Sequence, residues 1–293
     1  MLLLAISLAA PLHLGPHAVG FRQIGDVSVW YPAQRSGRSM KLGDYYGASL
    51  RPFGLFLAST GLSSESINAL FDAPMRARHD ATPLNRAFPL VLVAQGNHQD
   101  APDQAVLSEF LASHGFIVAS TPSPMIRTPM RSEDEIGSFA AEQANDLGRA
   151  IDVVSSSLRV APGPIAVVGH SFGARSALLL ATRKRRVTKI VSLDGGIGTA
   201  TGAAGLDAID PARAPAILHL YEDLDPFMTP DFAFLDPLRA RKERIPGVHH
   251  AHFTTMGFAA AAIPELAKIT HAGGEIGESV RKIAQLTLEF LRS

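Results

Sequence analysis

Gly169-His170-Ser171-Phe172-Gly173 places a serine where nucleophilic attack is chemically reasonable. The pentapeptide directly follows the apolar run Ile165-Ala166-Val167-Val168 and precedes a helical pattern from Ser176 to Ala181. A strand that turns straight into a helix leaves little room for side chains two positions before and after the turn. Glycine stands at both. In such a turn the hydroxyl projects from the C-terminal end of the strand, and the helix N-terminus offers N–H groups to developing negative charge. An ordinary tight turn is the bland alternative; the flanking strand and helix favour a nucleophile at Ser171.

A serine hydroxyl needs a base, and in this arrangement the chain order is Ser, acid, His. Three histidines compete for the role, His249, His250 and His252, while His271 precedes glycines and reads as loop. The cluster also raises the question of a metal. No carboxylate lies close to it in sequence, and alternate residues of a loop rarely converge, so no metal and no cofactor is expected. Two aspartates compete as the acid. Asp194 ends the apolar run Lys189–Leu193 and precedes Gly195-Gly196, whereas Asp225 lies in Tyr221-Glu222-Asp223-Leu224-Asp225-Pro226 after the next strand. Neighbouring strands are only about 5 Å apart, so either tip could reach a histidine. Pattern alone slightly favours Asp225.

An oxyanion needs donors. Phe172 supplies one N–H by position, directly after the nucleophile. The second is expected from the loop after Pro89–Ala94, where Gly96 in Gln95-Gly96-Asn97 lets the backbone turn the Asn97 amide inward. Closing a turn is the simpler role for Asn97. Phe172, Phe227 and Phe253 stand near these residues in sequence and suggest an apolar acyl pocket, with core packing of Phe227 and Phe253 as the alternative.

The elements that must carry these residues alternate in type. Pro89–Ala94, Phe116–Ala119, Ile165–Val168, Lys189–Leu193 and Ala216–Leu220 read as strands buried on both faces. Val27–Tyr31 is an earlier strand closed by Pro32. Between them fall helical patterns: Asp103–Ser113, then a long one with apolar residues at Ala140, Ala144, Leu147, Ile151, Val154 and Leu158. Val280, Ile283, Ala284, Thr287, Phe290 and Leu291 mark a closing helix, and residues 41–84 read as an excursion rather than a domain. This order predicts an α/β fold with a mostly parallel central sheet and helices on both faces, one domain over residues 16–293.

The 27 basic and 27 acidic residues cancel, so no strong field favours nucleic acid or an acidic membrane surface. Arg183-Lys184-Arg185-Arg186 reads as a helix C-terminus, where cations offset the dipole. The absence of cysteine excludes disulfides and thiolate chemistry. Met1–Pro11 is apolar and of export-signal length but lacks a basic start, so residues 1–15 are a candidate signal peptide or an N-terminal extension. A secreted or periplasmic location follows if the segment is cleaved, a cytoplasmic one otherwise. Neither that run nor any other is long enough for stable membrane insertion, and oligomeric state is not legible.

Taken together, Trp30-Tyr31-Pro32-Ala33, the Gly-His-Ser-Phe-Gly-Ala run at 169–174, Leu193-Asp194-Gly195 and the His-x-x-Phe motif at 250–253 resemble the platelet-activating-factor acetylhydrolase and dienelactone-hydrolase-like branch of the α/β-hydrolases. The resemblance spans most of the chain from about residue 16, although only the serine motif is individually specific. It implies the α/β-hydrolase fold and a serine esterase acting on a small-molecule ester; the expectation of short acyl chains comes instead from the small apolar pocket that the phenylalanines suggest, because acyl preference does not transfer from the resemblance. It places the acid after the strand that follows the nucleophile helix, at Asp194, 194 − 171 = 23 residues beyond Ser171. It places the base at the first position of His-x-x-Phe, His250. The chain departs from the branch at Gln95-Gly96, where His-Gly is usual, and in the Gly- and Ala-rich loop Ile197–Ala214. An amidase, a lactone hydrolase or an acyltransferase would use the same residues, and a non-catalytic binding protein on this fold is a further alternative.

Overall fold

The uninterrupted apolar runs become the centre of one sheet. The computed structural model describes residues 6–47, 52–206 and 209–293. Its strands are β1 (Ala18–Ile24), β2 (Val27–Ala33), β3 (Arg38–Lys41), β4 (Pro74–His79), β5 (Leu90–Ala94), β6 (Ile117–Thr121), β7 (Ile165–His170), β8 (Val187–Leu193), β9 (Ala216–Tyr221) and β10 (Arg241–Arg244). They form one sheet in the order β10-β9-β8-β7-β5-β6-β2-β1-β4-β3. From β10 to β6 every neighbour is parallel, and β2 then joins β6 antiparallel. In β5, Leu90, Leu92 and Ala94 enter one core while Val91 and Val93 enter the other. With both faces covered there is no solvated side, and hence no alternation of polar residues in the sequence.

The helices are α1 (Leu42–Tyr46), α2 (Pro52–Ser59), α3 (Ser64–Phe71), α4 (Ala105–Ser113), α5 (Ile136–Ser157), α6 (Gly173–Arg183), α7 (Thr255–Ala262), α8 (Pro264–Ile269) and α9 (Ile276–Arg292). Helices α5 and α6 cover one face of the sheet, and α4, α7 and α9 cover the other. The stripe from Ala140 to Val154 is buried as its spacing predicts, and Leu158 caps the helix. Among the described residues no helix is long and apolar enough to cross a membrane.

Two stretches are more ordered than their sequences suggest. Residues 41–84, of which 48–51 lie outside the described residues, contribute α1 to α3 and strand β4, which pairs with β1 and β3. Buried phenols tie this stretch to the domain: the Tyr45 hydroxyl donates to Glu109 Oε1 at 2.6 Å and the Tyr46 hydroxyl to Asp103 Oδ1 at 3.0 Å. At the N-terminus Leu8 and Leu12 are buried in the core, and Arg281 donates to the Pro11 carbonyl at 3.0 Å. Met1–Ala5, the start of the candidate export signal, lie outside the described residues.

Candidate active site

Strand β7 delivers Ser171 at a turn that requires its glycines. A Cβ on Gly173 would lie 2.1 Å from the Ala94 carbonyl oxygen, and one on Gly169 would lie 2.7 Å from Ala174 N. Ser171 itself sits at φ 52°, a left-handed conformation that ordinary side chains avoid. The turn is held from both sides: Ser171 N–H donates to the Leu193 carbonyl, and the Ser171 carbonyl accepts from Gly196 N–H, both at 3.1 Å.

Asp194 stands at the tip of β8, also left-handed, at φ 44°. His250 enters from the loop after β10. Its Nε2 lies 2.9 Å from Ser171 Oγ and its Nδ1 lies 2.6 Å from Asp194 Oδ2. The other oxygen of Asp194 accepts the Glu222 N–H at 3.2 Å. Burial pushes the Asp194 carboxyl up, opposed by the His250 contact and the Glu222 amide. The ring orientation lets Nδ1–H donate to the carboxylate while Nε2 accepts from the serine hydroxyl.

The remaining histidines are occupied elsewhere. His252 Nδ1 accepts the His249 N–H at 2.9 Å, and its Nε2 lies 2.8 Å from Thr270 Oγ1. Burial, with the His249 charge beside it, lowers His252 to about 4, so it is a neutral packing residue. His249 pairs with Asp225, Nδ1 to Oδ1 at 2.7 Å. Asp225, the acid that pattern alone favours, therefore contacts the neighbour of His250 instead of its ring. The structure does bring carboxylates to the histidine cluster, which sequence distance conceals: ligand atoms of Glu222, Asp225 and His249 lie within 4.8 Å of one another. The carboxylates of this group already accept backbone amides. Glu222 accepts the Leu224 and Asp225 amides, and Asp225 accepts the His250 amide. The cluster braces a loop.

On the other side of Ser171, the loop Gln95–Asn97 leans on the serine. A Cβ on Gly96 would lie 3.0 Å from Ser171 Cβ. The Gly96 N–H is taken by Gln99 Oε1 at 2.6 Å. Among the described residues, the Phe172 and Asn97 N–H groups have no internal acceptor. Gln95, at the position where the resemblance leads one to expect histidine, is fully buried and donates to Ala101 O at 2.9 Å and Ser120 Oγ at 3.0 Å. It pins the loop from below. His170 packs beside His250 with ring centroids 4.7 Å apart, and burial drives it well below the usual histidine range, so it stays neutral.

Two features go beyond what the sequence indicates. Buried Arg175 donates to the carbonyls of Thr201 at 2.6 Å, Gly202 at 2.7 Å and Gly196 at 3.1 Å, organising the Gly- and Ala-rich loop beside Asp194. Residues 207–208 of that loop lie outside the described residues. The second is a cavity of about 510 Å³ onto which Ser171, His250 and Asn97 open. Of the three phenylalanines expected to form a pocket, only Phe227 lines it. Phe172 and Phe253 are buried in the two cores, because each immediately joins a packed element. Phe53 and Phe56, from the excursion, line the cavity instead.

A parallel sheet carrying a serine at a strand–helix turn, with acid and histidine delivered by later loops, has the α/β-hydrolase fold. Among solved structures the chain is similar to a ferulic acid esterase from Streptomyces cinnamoneus, with a TM-score of 0.67 and 20% identity over 98% of this chain and 91% of that one. No family model and no curated protein matches the sequence.

Proposed function

We propose that the protein is a carboxylic ester hydrolase that works through an acyl-enzyme on Ser171. The observation that carries this reading is the relay Ser171–His250–Asp194, at 2.9 and 2.6 Å, opening on a cavity. His250 Nε2 takes the hydroxyl proton as Ser171 Oγ adds to the ester carbonyl carbon, and the carbonyl π electrons move to oxygen. Asp194 fixes the tautomer through Nδ1–H and stabilises the imidazolium. The Phe172 and Asn97 amides receive the oxyanion, each worth roughly 3–4 kcal/mol. Collapse breaks the bond to the alcohol oxygen, which leaves with the proton from Nε2. Water then gives a proton to His250 and adds to the acyl carbon, and Ser171 Oγ departs with that proton. One ester and one water yield one acid and one alcohol, with no step through a metal or cofactor.

The similarity to a protein named as an esterase supports an ester over an amide or lactone. The position of Asp194 directly after β8, and of His250 three residues before Phe253, supports a place near the acetylhydrolase and dienelactone-hydrolase-like branch. Short acyl chains alone would leave much of the roughly 510 Å³ cavity unfilled.

The test compares turnover of matched ester, amide and lactone substrates, with and without alcohol acceptors, by wild type and Ser171→Ala. The expected result is ester hydrolysis that falls by about 10⁴-fold or more in the variant. An unchanged rate in Ser171→Ala would defeat the proposal.

A further inference from the structure

The cavity holding Ser171 and His250 has more apolar wall than ester chemistry requires. Phe53, Phe56, Phe227, Met228 and Met256 line it. Phe227 stands edge-on to the His250 ring, with centroids 5.5 Å apart and planes at 82°. Phe53 is held by stacking on Tyr46, centroids 5.2 Å apart and planes at 10°. Phe53 is 7% exposed, whereas Phe56 is 45% and Phe227 is 69% exposed.

Both of those rings are exposed. Among the described residues, the exposed large hydrophobic side chains are Leu55, Phe56, Leu224 and Phe227. All four belong to the two segments that flank the mouth: Leu55 adjoins Phe56 on α2, and Leu224 precedes Phe227 by one turn of loop. Exposed apolar surface concentrated at one place marks a binding site. Because the reactive hydroxyl opens into the same cavity, the occupant is the substrate.

Size and chemistry narrow its class. At about 30 Å³ per water-sized atom, 510 Å³ holds on the order of fifteen non-hydrogen atoms. An acetyl group would leave most of that space to water. Aromatic rings gain from ring edges and faces, and from thioether sulfur, beyond the area they bury. A wall of three phenylalanines and two methionines offers both.

We propose that the site selects esters in which a group flanking the scissile bond carries an aromatic ring, covered by Phe56 and Phe227, over esters of small acids with small alcohols. This selectivity rests on the Ser171 hydrolase reading. It assigns Phe56 and Phe227 as specificity-determining residues.

The experiment measures kcat/KM for four dissolved esters: methyl acetate, methyl hexanoate, methyl 3-phenylpropanoate and 2-phenylethyl acetate. At least one aryl ester is expected to exceed both methyl acetate and methyl hexanoate by about tenfold. That preference should shrink severalfold in Phe227→Ala and Phe56→Ala and survive in Phe227→Trp. Since Phe227 and Phe56 are exposed, their truncation leaves the core intact. A flat series in the wild type, or a preference unmoved in both alanine variants, would overturn the proposal. Ser171→Ala separates the two levels: a flat series that still depends on Ser171 removes only the selectivity, whereas turnover that survives in Ser171→Ala removes the hydrolase reading beneath it.

Discussion

Asp225 holds His250 by its backbone: the His250 N–H donates to Asp225 Oδ2 at 2.7 Å, while Asp225 Oδ1 lies 2.7 Å from the ring of His249. One carboxylate thus fixes two consecutive residues of the loop that carries the candidate base. Burial alone would raise this carboxyl, but the His250 amide and the His249 ring outweigh it and hold it below the usual range. Asp225→Asn keeps a single acceptor oxygen for two donors. Its kcat/KM is expected to fall roughly 10- to 100-fold, against about 10⁴-fold for Asp194→Asn, which alters the histidine tautomer itself. Because the folded carboxyl is held low, its stabilising effect is present above about pH 4 and lost as pH falls through its folded value. Acid unfolding curves of wild type and Asp225→Asn should therefore converge below that pH. Equal kinetic losses in the two variants would contradict the separate roles.

Ser171 offers a test of backbone strain apart from chemistry. At φ 52° a Cβ costs about 1 kcal/mol that glycine does not incur. Both Ser171→Ala and Ser171→Gly remove the hydroxyl, so both should be inactive. Ser171→Gly is nevertheless expected to unfold at higher urea concentration with the same slope. An alanine variant as stable as the glycine variant would show that the turn is relaxed.

The central strands and the serine turn were the legible part of this chain. Leu90–Ala94 and Ile165–His170 have both faces covered, and such burial leaves an apolar run that needs no partner to be recognised. The strands at the far end of the sheet are different. β4 reads Pro-Met-Arg-Ala-Arg-His, with Pro74 and Arg76 exposed and only Met75 and Ala77 buried, and its register exists only through β1 and β3. The histidines at 249, 250 and 252 could not be ranked by pattern, because a 3-10 turn at His250–Phe253 sends them in different directions. Only the motif resemblance singled out His250, and the same holds for Asp194 over Asp225. Of the apolar mouth only Phe227 was legible; Phe56 is far from it in sequence, and the two line one cavity only in the folded chain.

Asp103 makes the stability pH-dependent. This carboxyl is buried, accepts the Tyr46 hydroxyl and the Asp100 N–H, and is raised by burial to about 7. An acid raised in the folded state keeps its proton longer than in the unfolded chain. Stability from this group is therefore full below about pH 4 and declines as pH rises towards 7, by on the order of 4 kcal/mol. Denaturant unfolding at pH 5, 6, 7 and 8 should show that decline for the wild type and a flatter profile for Asp103→Asn. Parallel profiles for the two proteins would contradict it.

The acyl-enzyme is the centre of the account, and intact-mass spectrometry tests it directly. Wild type and Ser171→Ala are each quenched during turnover of methyl 3-phenylpropanoate and 4-nitrophenyl acetate, and any adduct is mapped by proteolysis. One acyl group per wild-type chain is expected, on the peptide containing Ser171, and none on the variant. Steady turnover with an acyl group on another residue, or an adduct that persists in Ser171→Ala, would contradict it.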